Sequence, residues 1–120
     1  MITTLMKHRA IGESRWCLVN TAINDSSEAV AVVLVTRART TATAELLMWV
    51  RGDCKDAQNV LLRMFKAVRR ELSLYMPSLM VTAAHGDEVV RSVIEEIGFT
   101  ACVEQHIPAV TMYEWSRDVL

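Results

Sequence analysis

Between an apolar run ending Glu45-Leu46-Leu47-Met48-Trp49-Val50 and an amphipathic helix that begins at Asp56 lies the polar segment Arg51 to Lys55. Here the carboxyl end of a strand meets the amino end of a helix. Unpaired N–H groups and the helix dipole at such a junction favour an anion, and ligands of open α/β sheets tend to bind there. A small-molecule site is expected first at this loop. Asp53 and Asp56 can each cap the helix, and both lie at the end where the dipole favours an acid. Cys54, at the helix amino end, is in the usual setting of a reactive thiol, but its flanking acids oppose the necessary pKa shift. No Ser-His-Asp order, zinc-ligand spacing or Walker loop occurs, and a lone loop histidine such as His85 ordinarily reads as a polar surface residue.

The elements that must position this loop follow from the apolar pattern. A strand over 42–50, a helix over 56–74, a second strand over Leu79 to Ala84 after Pro77, and a helix from Glu88 to Ile97 make a βαβ unit with one further helix. The two strands should be parallel neighbours that splay apart at their carboxyl ends. In the long helix Val60, Leu61, Met64, Phe65, Val68 and Leu72 form one stripe, and Arg63, Lys66, Arg69 and Arg70 form a solvated surface. In the short helix Val89, Val90, Val93, Ile94 and Ile97 share a face, with Asp87 as cap and Gly98 as a left-handed stop.

Upstream, Trp16 to Ile23 and the Val-rich run Ala29 to Thr36 are strands separated by the turn cluster Asn24-Asp25-Ser26-Ser27. With the strand over 42–50, reached through the turn Arg37 to Thr40, they form an antiparallel meander. The Val-rich run suits a strand covered on both faces. Ile2, Leu5 and Met6 fit either a short strand or a helical turn, broken by Gly12. Phe99 to His106 and Val110 to Trp115, divided by Pro108, close the chain. The expected whole is a mixed α/β sheet in the order β-β-β-α-β-α-β-β, with at least one helix on each face.

The 120 residues suffice for one domain over 1–120 with its own core. A hydrophobic fraction of 52%, 22% charged residues and a net charge of -1 are those of a globular chain and argue against a general nucleic-acid binder. No run approaches the roughly 20 apolar residues of a membrane span. The first ten residues have too little apolar length for a signal peptide. Cys17, Cys54 and Cys102 are odd in number and lack metal spacing, which suits reduced thiols in a cytosol-like compartment. Trp16, Trp115 and the Met76-Pro77 corner are the candidates for an exposed partner surface.

That element order, together with Ala44-Glu45-Leu46-Leu47-Met48-Trp49-Val50 and Glu95-Glu96-Ile97-Gly98-Phe99, resembles the GNAT (Gcn5-related N-acetyltransferase) superfamily over roughly Trp16 to Trp115. The resemblance implies that the splayed strands hold the pantetheine arm of acetyl-CoA, with Trp49 and the Val50 backbone beside it. The pyrophosphate would lie on the loop and helix start, at Arg51, Gly52, Cys54, Lys55 and Ala57. Glu45 matches the position of a general base that takes a proton from the acceptor amine; the other reading is a strand glutamate facing water. Asp87 stands where the family often has an asparagine.

The sequence also departs from that family. Its phosphate loop reads Gln/Arg-x-x-Gly-x-Gly/Ala, whereas here Cys54 and Asp56 hold the small-residue positions and Gly52 is displaced. Two acids facing an incoming anion at about 4 Å would each cost on the order of 4 kcal/mol at an effective dielectric near 20. The tyrosine that protonates the leaving thiolate is replaced by Ile94, with Tyr113 and His85 as nearby substitutes. The family's two amino-terminal helices, which help build the acceptor groove, have only about fifteen residues to occupy. Compact GNAT-fold proteins of this kind occur among bacteriophage proteins, including small internal-virion proteins. Two functions are therefore expected: an acyl-CoA-dependent N-acetyltransferase with an unknown amine acceptor, or a catalytically silent GNAT-fold module that binds a protein partner or builds a virion. The chain is read as cytoplasmic or packaged in a virion, with a homo-oligomer allowed.

Overall fold

The computed structural model describes residues 1–11, 14–38, 43–72, 79–84, 87–107 and 110–116. Gly12, Arg39-Thr40, Met76-Pro77, His85 and Pro108, singled out above, lie outside the described residues. Seven strands, β1 (Thr3–Ile11), β2 (Arg15–Ile23), β3 (Ala29–Ala38), β4 (Thr43–Val50), β5 (Leu79–Ala84), β6 (Thr100–Ile107) and β7 (Val110–Ser116), form one sheet in the order β1-β2-β3-β4-β5-β7-β6. Helix α1 (Ala57–Glu71) joins β4 to β5, and α2 (Glu88–Ile97) joins β5 to β6. β4 and β5 are parallel, and every other pair is antiparallel. This is the GNAT-type mixed sheet, a meander followed by β-α-β-α-β-β.

The amino-terminal segment is a full strand, β1, paired along its length with β2. Ile11 lies opposite Arg15, so three residues of chain separate the paired ends of the first two strands.

Both helices cover the same face of the sheet, which corrects the expectation of a helix on each. Gln58 of α1 donates to Glu96 of α2 at 2.9 Å, and the apolar stripes of both helices share one core with Leu18, Val33, Val35, Leu46, Met48 and Met80. On β4 the split is residue by residue: Ala44, Leu46, Met48 and Val50 are buried, and Thr43, Glu45, Leu47 and Trp49 are exposed. The Val-rich strand is likewise closed on one side, with Val33 and Val35 buried and Val32 and Leu34 only half-buried. Trp115 is buried and stacks on Phe99, and half-buried Trp16 packs on the core beneath the Arg37 guanidinium, 5.8 Å from its ring centre, so neither tryptophan is an exposed partner surface.

Both ends of α2 follow local chemistry. Asp87 Oδ1 accepts from the Val89 and Val90 amides at 3.0 and 3.2 Å, and Gly98 takes φ 114°, closing the helix through its own N–H and that of Phe99. None of the three cysteines forms a disulfide. Among the described residues, no helix is long and apolar enough to cross a membrane.

Candidate functional site

The parallel pairing of β4 with β5 covers only Thr43/Leu79, Ala44/Met80 and Glu45/Val81, although β4 continues to Val50 and β5 to Ala84. The strands therefore part after Glu45, as expected. One side-chain bond spans the start of the gap, where buried Thr82 Oγ1 donates to the Leu46 carbonyl at 2.7 Å. Successive strand residues direct their N–H and C=O to alternate edges. Arg51 N–H donates to Val30 O on the β3 side, and Leu46 C=O is turned toward β5. Even-numbered residues thus serve the β5 edge, and Met48 and Val50 present backbone groups to a strand that has moved away.

A cavity of about 710 Å³ occupies this opening. Leu34 and Thr36 of β3, Glu45 to Trp49 of β4, Val81 and Thr82 of β5, Asp87 at the cap of α2, Val90 of α2, and Met112 of β7 line it. The volume is that of an ordinary small-molecule pocket, with apolar walls and few polar groups. Of the residues singled out from the sequence, Glu45, Trp49 and Asp87 meet here. Asp87 is committed to its two amides.

Beyond Val50 the loop departs from expectation. Asp53 accepts from Arg51 Nε, and Arg51 also lies 3.8 Å from Glu28. The hydrogen bond from Arg51 holds the Asp53 carboxyl below the usual carboxylate range, and the same bond raises the guanidinium further. Asp56 makes no side-chain cap; its Oδ1 accepts from the Asn59 side chain at 2.9 Å. Neither acid closes the helix start, so the expected self-capped loop is not formed. The first intrahelical bond runs from Val60 N–H to Asp56 O, which leaves the amides of Ala57, Gln58 and Asn59 ahead of the ladder.

Asp56 has φ 57° and ψ 40°, the left-handed conformation that a glycine would adopt at little cost. Gly52 has no positive φ, and a Cβ there would meet nothing within 4 Å. The glycine-type bend of this loop is thus made by an aspartate. Lys55 is exposed, with no ion pair among the described residues. Half-buried Cys54 and Ala57 pack against the core.

Tyr113 stands apart from Glu45. It pairs with Thr82 across β5 and β7, so it lies on the helix face, whereas Glu45 pairs with Val81 on the opposite face. Its hydroxyl donates to Glu95 Oε1 at 3.3 Å, and burial, followed by the nearby Glu95 charge, raises its pKa. This geometry does not join Tyr113 to Glu45 as an acid–base pair. Thr82 escaped the sequence reading, and its signal was a single polar residue within the apolar run Leu79 to Ala84.

No family model and no curated protein sequence matches the chain. Solved structures do. A GNAT-family acetyltransferase from Staphylococcus aureus superposes with a TM-score of 0.65 at 11% identity, over 83% of this chain and 67% of that one. The PaiA N-acetyltransferase of Thermoplasma acidophilum, in complex with coenzyme A, gives 0.66 at 13% identity over 83% and 60%. A spermidine N-acetyltransferase SpeG chimera from Vibrio cholerae and hSSAT gives 0.59 at 11% over 90% and 70%. At these identities the likeness is one of fold.

Proposed function

We propose that this chain is an acyl-CoA-dependent N-acyltransferase acting on an amine. The observation that carries the reading is the parted β4–β5 edge, where the Met48 and Val50 backbone groups face the gap and Glu45 and Met48 line the cavity within it. An extended amide-bearing arm can pair with such an edge as a missing strand would. The residues present fit that arm: the walls are apolar, Trp49 flanks the slot, and the amides of Ala57 to Asn59 are unused by side-chain caps. Arg51, Gly52, Cys54 and Lys55 form the approach to those amides. Bound there, acetyl-CoA supplies the acyl group as a thioester.

The chain's own contribution is to orient and to move a proton. Glu45 is exposed within the cavity and accepts the proton that the attacking amine must lose. Tyr113 is outside this reach, so the departing thiolate takes its proton from solvent.

Calorimetry with acetyl-CoA tests the reading. Micromolar binding is expected, unchanged in Glu45→Gln, while acetyl transfer to a polyamine falls about 100-fold or more. A second reading, a silent GNAT-fold binding module within a virion or elsewhere, is favoured by the tethering of Arg51 to Asp53 and Glu28. It is selected if acetyl-CoA fails to bind at millimolar concentration.

A further inference from the structure

The face of the sheet opposite the helices carries the exposed large hydrophobic residues Leu5, Leu47 and Trp49, at 48%, 53% and 43% exposure. Strand register orders this face into rows. One runs Arg9, Cys17, Thr36, Glu45, Val81, Glu114 across β1, β2, β3, β4, β5 and β7. The next holds Lys7, Val19, Leu34 and Leu47, with Met112 on β7, and the third holds Leu5, Thr21, Val32 and Trp49. The centre is apolar apart from Glu45 on the middle strand β4. The β1 flank is basic, through Lys7 and Arg9, and the opposite flank carries the acid Glu114 on β7. Lys7, Arg9 and Glu114 are exposed and make no ion pair among the described residues. Large apolar side chains exposed together on one face mark an interaction site.

We propose that a second copy of this chain docks on this face, sheet against sheet, about a two-fold axis parallel to the strands between β3 and β4. Such an axis places β3 over the partner's β4 and β1 over the partner's β7. Leu34 then meets Leu47 and Val32 meets Trp49, each contact occurring twice, and the Lys7–Arg9 column faces Glu114 at both flanks. Packed sheets cross at about 30°, which shifts the flanks along the strands by about two residues. Lys7 and Arg9, two residues apart, span that shift.

Charge pattern selects a like copy over a foreign partner. A partner of uniform charge would match one flank and be repelled at the other, whereas this face is its own complement. The pairing also sets Thr36 of one copy over Glu45 of the other, so docking closes the cavity from this face and the dimer is a form that does not admit an amine. Dimerisation follows from this face alone, independently of the acyltransferase reading.

Sedimentation of the full chain over a concentration series tests it. A dimer with a micromolar dissociation constant is expected, weakening as salt rises. Leu47→Lys should yield a monomer with unchanged far-UV circular dichroism, because Leu47 contributes little to the core of one copy. Lys7→Glu with Arg9→Glu should raise the dissociation constant at least about tenfold, and adding Glu114→Arg should recover part of the loss. A wild-type monomer at hundreds of micromolar overturns the proposal. So does a dimer indifferent to Leu47→Lys, or a charge swap that recovers nothing.

Discussion

Asp56 shows how a single residue can be read correctly for place and wrongly for role. An acid just before a helical stripe is expected to cap it, and Asp87 does so at α2. The same expectation fails at α1, because the chain leaving β4 must bend sharply and Asp56 is the residue that takes positive φ. Nothing in the sequence distinguishes the two aspartates; backbone path decides. The left-handed conformation costs a non-glycine residue about 1 kcal/mol, and an acid at the helix start returns about 0.5 kcal/mol of that. Asp56→Gly should therefore leave stability unchanged or slightly raised, while Asp56→Ala, which keeps the strain and loses the charge, should lower it; thermal melts of the pair decide. If both lower it equally, Asp56 is acting as a cap after all. Asp53 has a separate signature. Its folded pKa is depressed by Arg51, so its contribution is present above the unfolded carboxylate value and is lost as pH falls through the folded one. Asp53→Asn should remove that part of the acid sensitivity, measured as the slope of stability against pH in the acid range.

At the scale of elements, α1 was legible because Val60, Leu61, Met64, Phe65 and Val68 repeat with a helical period and all are buried. Both ends of α2 were legible because Asp87 and Gly98 are chemically suited to their positions. β1 was not, since Thr3, Thr4, Lys7, His8 and Arg9 are polar and exposed toward both faces, leaving no alternation to read. The parting of β4 and β5 was expected from strand order, but the bond that fixes where it begins was not. Thr82 Oγ1 closes the last paired step by occupying the buried Leu46 carbonyl. Thr82→Val preserves shape and leaves that carbonyl unpaired, which should cost about 1–3 kcal/mol in urea denaturation. A cost near zero would mean that the junction relaxes into further β4–β5 pairing, and the affinity for acetyl-CoA should then fall with it.

At the scale of the molecule, the sequence suggested a sheet covered on both faces, because β3 and β4 are apolar at almost every position. Hydrophobic character alone cannot tell a face buried by helices from one left open, and the distinction here comes from topology: β1 pairs antiparallel with β2, and both crossover helices lie on one side. The core is therefore one-sided, and adjacent residues of β4 should differ sharply in their worth. Leu46 is 4% exposed among the α1 and α2 stripes, and Leu47 is 53% exposed on the other face. Leu46→Ala removes packed methyl groups from a closed core and should cost about 3 kcal/mol. Leu47→Ala should cost less than about 0.5 kcal/mol when unfolding is followed at a concentration too low for two copies to associate. The contrast is best measured by chemical denaturation of both variants at two protein concentrations. Equal costs at the lower concentration would mean that the open face is covered within a single copy, and the one-sided architecture would have to be abandoned.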